Sequence, residues 1–276
     1  MKKYSIPYLF WLLLFVIFPM LLIGFLAFTK GDMLNVSTFE FSLENFSRFF
    51  ESTYLKILVN SCVLAFISTL LCFLLGYPTA FIISRTSTKI QGILIMLFII
   101  PMWMNFLLRT YAWLTLLGKN GLINKTFGLI GLGPFELIYN DTAVVLGMIY
   151  NFLPFMVLPI YTVLSKIDKS LIEAAKDLGA NESQVFTRVI FPLSLSGVSS
   201  GIIMVFIPAM STFVISNLLG GNKSMMIGNV IEQQFRFTGD WHFGSAISFI
   251  LLVLMLVTIG IAVKTGIIKE GENELW

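Results

Sequence analysis

Six stretches of this 276-residue chain are each long and apolar enough to cross a bilayer, and they limit its fold more than any other feature. They run over 8–28, 57–84, 90–117, 142–164, 193–216 and 243–263. A spanning helix needs roughly 20 predominantly apolar residues. Backbone surrounded by lipid must satisfy its own N–H and C=O groups, which leaves helices as the simplest solution. The sequence therefore predicts an all-α integral membrane protein of six transmembrane helices, forming one domain over 1–276. Hydrophobic residues make up 57% of the chain and charged residues 12%, about half the charged share of soluble domains. The start, Met1-Lys2-Lys3 before Tyr4–Phe28, has the charge of a secretory signal. Its apolar run is too long and no small-x-small site closes it, so it reads as a retained first span. An even number of spans puts both termini on one side. With the termini inside, inner segments hold ten Lys/Arg and outer segments seven, a mild bias in the positive-inside direction. That places both ends in the cytoplasm.

Several function classes drop out. A net charge of +3 with no Lys/Arg cluster among aromatics gives no nucleic-acid surface. There is no GxxxxGK[ST], and Gly220-Gly221-Asn222-Lys223-Ser224 lacks the spacing of a phosphate loop. HExxH, paired-cysteine metal spacings and a serine elbow are absent too. The chain is expected to be no enzyme and to hold no cofactor or metal. Cys62 and Cys72 lie in one span, about 15 Å apart along a helix and too far for a disulfide. His242, the sole histidine, is expected in a surface or packing role.

One polar segment breaks the pattern. The loop 165–192 (SKIDKSLIEAAKDLGANESQVFTRVIFP) carries eight charges yet has the punctuation of two short helices. Ser170-x-x-Glu173 reads as a capping box. Leu171, Ala174, Ala175 and Leu178 form an apolar stripe at helical spacing, with Asp177 beside it. Gly179 suits the left-handed residue that closes a helix. Asn181 with Gln184 begins a second helix bearing Val185, Phe186 and Val189. A stiff, half-apolar hook kept in water is a surface for a soluble partner.

Within the spans, Pro78, Pro101, Pro154, Pro159 and Pro208 free the carbonyls of Leu74, Leu97, Tyr150, Phe155 and Met204. These are plain kinks or, where Tyr150 and its neighbours face a pathway, sites that help a cation shed water. Asn105, Arg109 and Trp113 fall on one helical stripe. Arg109 near mid-span is costly; it either pairs with a carboxylate or carbonyls, or lines a wet interior. Trp103, Tyr111 and Trp113 fit an interfacial belt or a lining that attracts organic cations. No Asp or Glu lies inside any of the six spans. A carboxylate at mid-membrane would have to come from a second, non-identical subunit, leaving rim acids such as Asp141, Glu232 and Asp240 in this chain.

Glu173-Ala174-Ala175, three residues, Gly179, nine residues, then Val189-Ile190-Phe191-Pro192 resembles the EAA loop of ABC importer permeases, departing only at Val189 and Phe191. The likeness extends over Asn105–Trp113, Lys119–Asn124, Asp141–Pro159, Lys169–Gly179, Leu218–Asn229 and Asp240–Ala246, which resemble the polyamine-importing (spermidine/putrescine) members. The resemblance implies a type I importer in the bacterial inner membrane. Two different six-span permeases would pair around a path. Two ATPase subunits would bind ATP and magnesium inside, and a polyamine-binding protein would dock outside. It further implies that Leu171, Glu173, Ala174, Ala175, Asp177, Leu178, Gly179 and Phe186 couple to an ATPase. Trp103, Asn105, Arg109, Tyr111, Trp113 and Tyr150 become the candidate substrate pathway, with Trp103 at the family's tryptophan position. Permeases for ferric iron, thiamine or phosphonate would share the hook. A secondary transporter would instead need internal repeats and intramembrane acids.

Overall fold

A computed structural model describes residues 5–32 and 36–264. Lys2, Lys3, Lys269 and the acidic stretch Glu270–Glu274 lie outside the described residues. Helix α1 covers 5–27, followed by a two-residue antiparallel ladder pairing Thr29–Lys30 with Glu40–Phe41. Then come α2 (Glu44–Phe49), α3 (Ser52–Arg85), α4 (Thr88–Trp103), α5 (Phe106–Leu117), α6 (Leu122–Leu129), α7 (Asp141–Leu164) and α8 (Lys169–Asp177). Helix α9 runs Glu182–Ser211, α10 covers 214–220, α11 covers 227–238 and α12 is Trp241–Lys264.

Helices α3, α7 and α9 pack on one another as the core, while α12 packs mainly on α1. Small residues let the core helices approach. A Cβ on Gly197 would lie 2.8 Å from the Pro159 carbonyl oxygen, and one on Gly201 would lie 2.7 Å from Met156 Sδ. Gly197 and Gly201 sit one turn apart, the small-xxx-small arrangement that brings membrane helices together. In the most apolar stretch of α7, 61% of residues are buried, against 6% in α1. Helix α7 is therefore the centre of the bundle, and α1 lies at its edge.

In α1 and α9 alike, a π turn ends two residues before a proline: Leu13–Ile17 before Pro19, and Phe186–Ile190 before Pro192. The residue before each proline, Phe18 or Phe191, donates its N–H to the carbonyl five residues back. That wider turn accommodates a ring that would otherwise strike the carbonyl four residues back.

The third predicted span is not one helix. Instead of running unbroken over 90–117, the chain turns by 93° between Thr88–Trp103 and Phe106–Leu129. Pro101 weakens the ladder, Met104 is extended (ψ 147°), and Asn105 caps the new helix. Five helices are long and apolar enough to cross by themselves, and six if the bent pair counts as one. The fifth span also differs. Its helix begins at Glu182, so the second hook helix is the lower end of the span rather than a separate piece.

Candidate functional site

The hook is built by local chemistry at both ends. Asp168, not Ser170, caps α8: its Oδ1 accepts from the Ser170 N–H at 2.9 Å. The expected Ser170–Glu173 box is displaced because a charged carboxylate two residues upstream is the stronger acceptor. The Ser170 backbone N–H and hydroxyl hold the Asp168 carboxyl below its usual range. At the other end, the Gly179 N–H donates to the Lys176 carbonyl (2.8 Å) and the Ala180 N–H to the Ala175 carbonyl (3.0 Å). With Gly179 at φ +85°, this is a Schellman closure, which needs a left-handed residue at that point. Two residues on, Asn181 and Gln184 form the reciprocal box read from the sequence. Lys176 and Glu182 bridge the turn through an ion pair.

Helix α8 splits its apolar residues between two faces. Ile172 and Ala175 pack toward the body. Leu171, Glu173, Ala174, Asp177 and Leu178 are exposed, Leu178 at 89%. Phe186, the last of the expected coupling residues, packs inward against the helix core. It packs edge-on against Tyr77 (5.9 Å) and Phe81 (5.5 Å) of α3 and beside Phe191 (6.3 Å). Tyr77 Oη in turn lies 2.9 Å from Ser194 Oγ. Phe186 thus roots the hook against α3 in the helix core, and Val185 and Ile190 are buried beside it in the chain.

The candidate pathway residues do not form a single lining. Asn105 spends its Oδ1 on the N–H groups of Leu107 (2.8 Å) and Leu108 (3.4 Å). Trp113 packs edge-on against Tyr150 with ring centroids 5.4 Å apart. Trp103 is 83% exposed, Tyr111 is exposed, and neither makes a ring contact among the described residues. Arg109 is only 8% exposed, lies over the Phe106 ring at 5.9 Å, and leaves Nε without a hydrogen bond. It makes no ion pair with a carboxylate among the described residues. The three named rim acids are engaged: Asp141 with Ser224, Glu232 with Arg236 and Asn217, Asp240 with Arg48.

The segment before α12 is held by its own hydrogen bonds. Asn229 accepts from Ser216 Oγ and the Met226 N–H and donates to the Phe213 carbonyl. Leu219, Met226, Ile227 and Val230 are buried, so only parts of Leu218–Gly244, such as Phe237 and Trp241, face outward. His242 is a packing residue in the first turn of α12. Its Nδ1 lies 3.1 Å from the Leu26 carbonyl oxygen and ties α12 to α1. The Asn229 brace has no local sequence signature, whereas the Gly197/Gly201 contact has one in Gly197-x-x-x-Gly201.

The sequence pattern of the binding-protein-dependent transport system inner membrane component matches residues 3–267. The chain belongs to that permease family. The spermidine/putrescine transport system permease protein PotB of Haemophilus influenzae (strain ATCC 51907 / DSM 11121 / KW20 / Rd) is 37% identical over 99% of this permease and 97% of that protein. PotB of Escherichia coli (strain K12) is 39% identical over 89% of this permease and 90% of that protein. A crystallised bacterial ABC transporter for the acidic polysaccharide alginate has a chain with the same fold: TM-score 0.79, 18% identity, 95% of this permease and 92% of that chain. The permease is thus a multi-pass membrane protein of PotB type with an ABC permease fold.

Proposed function

We propose that this permease forms half of the translocation path of an ATP-driven polyamine importer and receives an ATPase subunit on α8. The observation that carries the coupling role is the hook's two-sided build. An outward stripe of Leu171, Ala174 and Leu178 stands on a helix whose next segment is rooted in the core by Phe186. A partner that grips the stripe moves α9 with it. The polyamine cargo rests on the likeness to PotB of two organisms. ATP and magnesium belong to the partner ATPases, and a polyamine-binding protein delivers cargo to the opposite face. The spans then alternate between two arrangements, each biased by a ligand. Trp113 and Tyr150 offer aromatic faces to the cation, an attraction worth about 0.5–2 kcal/mol per contact.

The test is reconstitution of the complete importer in liposomes. Labelled spermidine should enter only with ATP and the binding protein. Leu178→Asp should abolish uptake and binding-protein-stimulated ATP hydrolysis together. Normal uptake by that variant would remove α8 from the coupling path. Uptake of thiamine or ferric iron in place of spermidine would keep the coupling and overturn the cargo.

A further inference from the structure

At the hook end of the bundle, a cavity of 620 Å³ opens between the α3–α4 turn and the root of α8. Its charged lining residues are Arg85 and Lys169, with no carboxylate among the lining. Neither cation makes an ion pair among the described residues. Two backbone oxygens that would repel an anion are already occupied. Gln91 Nε2 donates to the Ser84 carbonyl at 3.1 Å and to the Thr86 carbonyl at 3.0 Å. Tyr161 Oη holds that amide in place by donating to Gln91 Oε1 at 3.2 Å. The hydroxyls of Ser87 and Thr88 also line the space. One wall is apolar, formed by Phe81, Leu164, Ile167, Ile172 and Ile190.

We propose that this cavity binds a phosphate-bearing anion, gripped by Arg85 and Lys169 beside the root of the hook. The carrying observation is a lining whose charges are all positive, with the Ser84 and Thr86 carbonyls tied up by Gln91. Glu182, an acid that feels the charge of Arg85, is outside the lining and paired with Lys176. Basic pockets between transmembrane helices suit phospholipid headgroups, and the apolar wall suits the start of an acyl chain. A free phosphate group presents the same anion without the chain. Because Lys169 is the first residue of α8, an occupant would fix the hook against α3. That consequence rests on the coupling role proposed above, whereas binding itself does not.

The experiment uses the full-length permease in neutral detergent, with ligand retention read by native mass spectrometry. Phosphatidylglycerol, phosphatidylcholine and inorganic phosphate are added separately. Retention of phosphatidylglycerol over phosphatidylcholine is expected, weakened on the order of tenfold in R85Q/K169Q. The charge-keeping R85K/K169R pair should retain it, as should K119Q/K223Q, which alters cations far along the chain. Displacement of the lipid by millimolar inorganic phosphate would assign the site to a free anion. Equal phosphatidylglycerol retention by the native permease and R85Q/K169Q, or binding of neither anion, would overturn the site. No ATPase or transport enters the readout, so failure here leaves the coupling proposal standing, and failure of coupling leaves this result intact.

Discussion

At Gly179 the backbone turns with φ +85°, and a Cβ added there would meet nothing within 4 Å. Any penalty for a side chain at this position is therefore backbone strain rather than a clash within the permease. Asn tolerates the left-handed region better than a β-branched residue does. Gly179→Asn should leave the Ala180 amide protected, while Gly179→Val should cost about 1–2 kcal/mol and speed its exchange on the order of tenfold. Hydrogen exchange of the peptide spanning the turn measures both. Asp168 gives a second residue-level test. Its folded pKa lies below the unfolded value because it accepts from Ser170. The cap's contribution is thus present above about pH 4 and is lost as pH falls through the lower folded value. Exchange at the start of α8, corrected for intrinsic rates, should accelerate on acidification in the native chain. In Asp168→Asn that acid step should vanish. Gly179 and the Asn181–Gln184 box were legible because each needs only its own neighbours. The choice between Asp168 and Ser170 was not, since both residue types are good caps and the stronger charged acceptor sets the helix start.

Among the elements, the contact of α9 with α7 depends on the absence of side chains. Gly197→Val would drive a methyl-bearing carbon toward the Pro159 carbonyl oxygen, where a Cβ already lies at 2.8 Å. Overpacking of this kind costs about 1–3 kcal/mol. The thermal midpoint of the detergent-solubilised permease should fall accordingly. Gly260→Ala, where a Cβ meets nothing within 4 Å, should leave it unchanged. The break between α4 and α5 shows where span-level reading stopped. Apolar length reports that 90–117 belongs in a membrane but carries no information on direction. Pro101 alone permits a kinked helix; Pro101 followed four residues later by Asn105, a strong cap, ends one helix and starts another. Asn105, read as part of a pathway stripe, also lends its Oδ1 to the N–H groups of Leu107 and Leu108.

Over the whole molecule, apolarity and burial run in opposite directions. Helix α1 has a mean hydropathy of 2.8 and is 6% buried, while α7 has 2.0 and is 61% buried. In lipid, the greasiest helix belongs outside, because the surrounding solvent is itself apolar. Six spans could therefore be found in the sequence, yet the central one could not be picked out. The same reasoning bears on partners. Arg109 is buried without a carboxylate among the described residues, and no acid lies within the six predicted spans. Gentle purification of the proposed importer should yield this permease with a second, non-identical membrane subunit, as read by native mass spectrometry. A homodimer of this chain that carries spermidine would contradict that.

The unbroken run from Glu182 to Ser211 has a mechanical consequence. Its 30 residues make a strut about 45 Å long, so tipping the hook end by about 5° swings the far tip through about 4 Å. The turn that joins α8 to this strut is braced by the closure at Gly179, the Asn181–Gln184 box and the Lys176–Glu182 ion pair. A small tilt at the hook end is thereby lengthened into a larger displacement at Ser211.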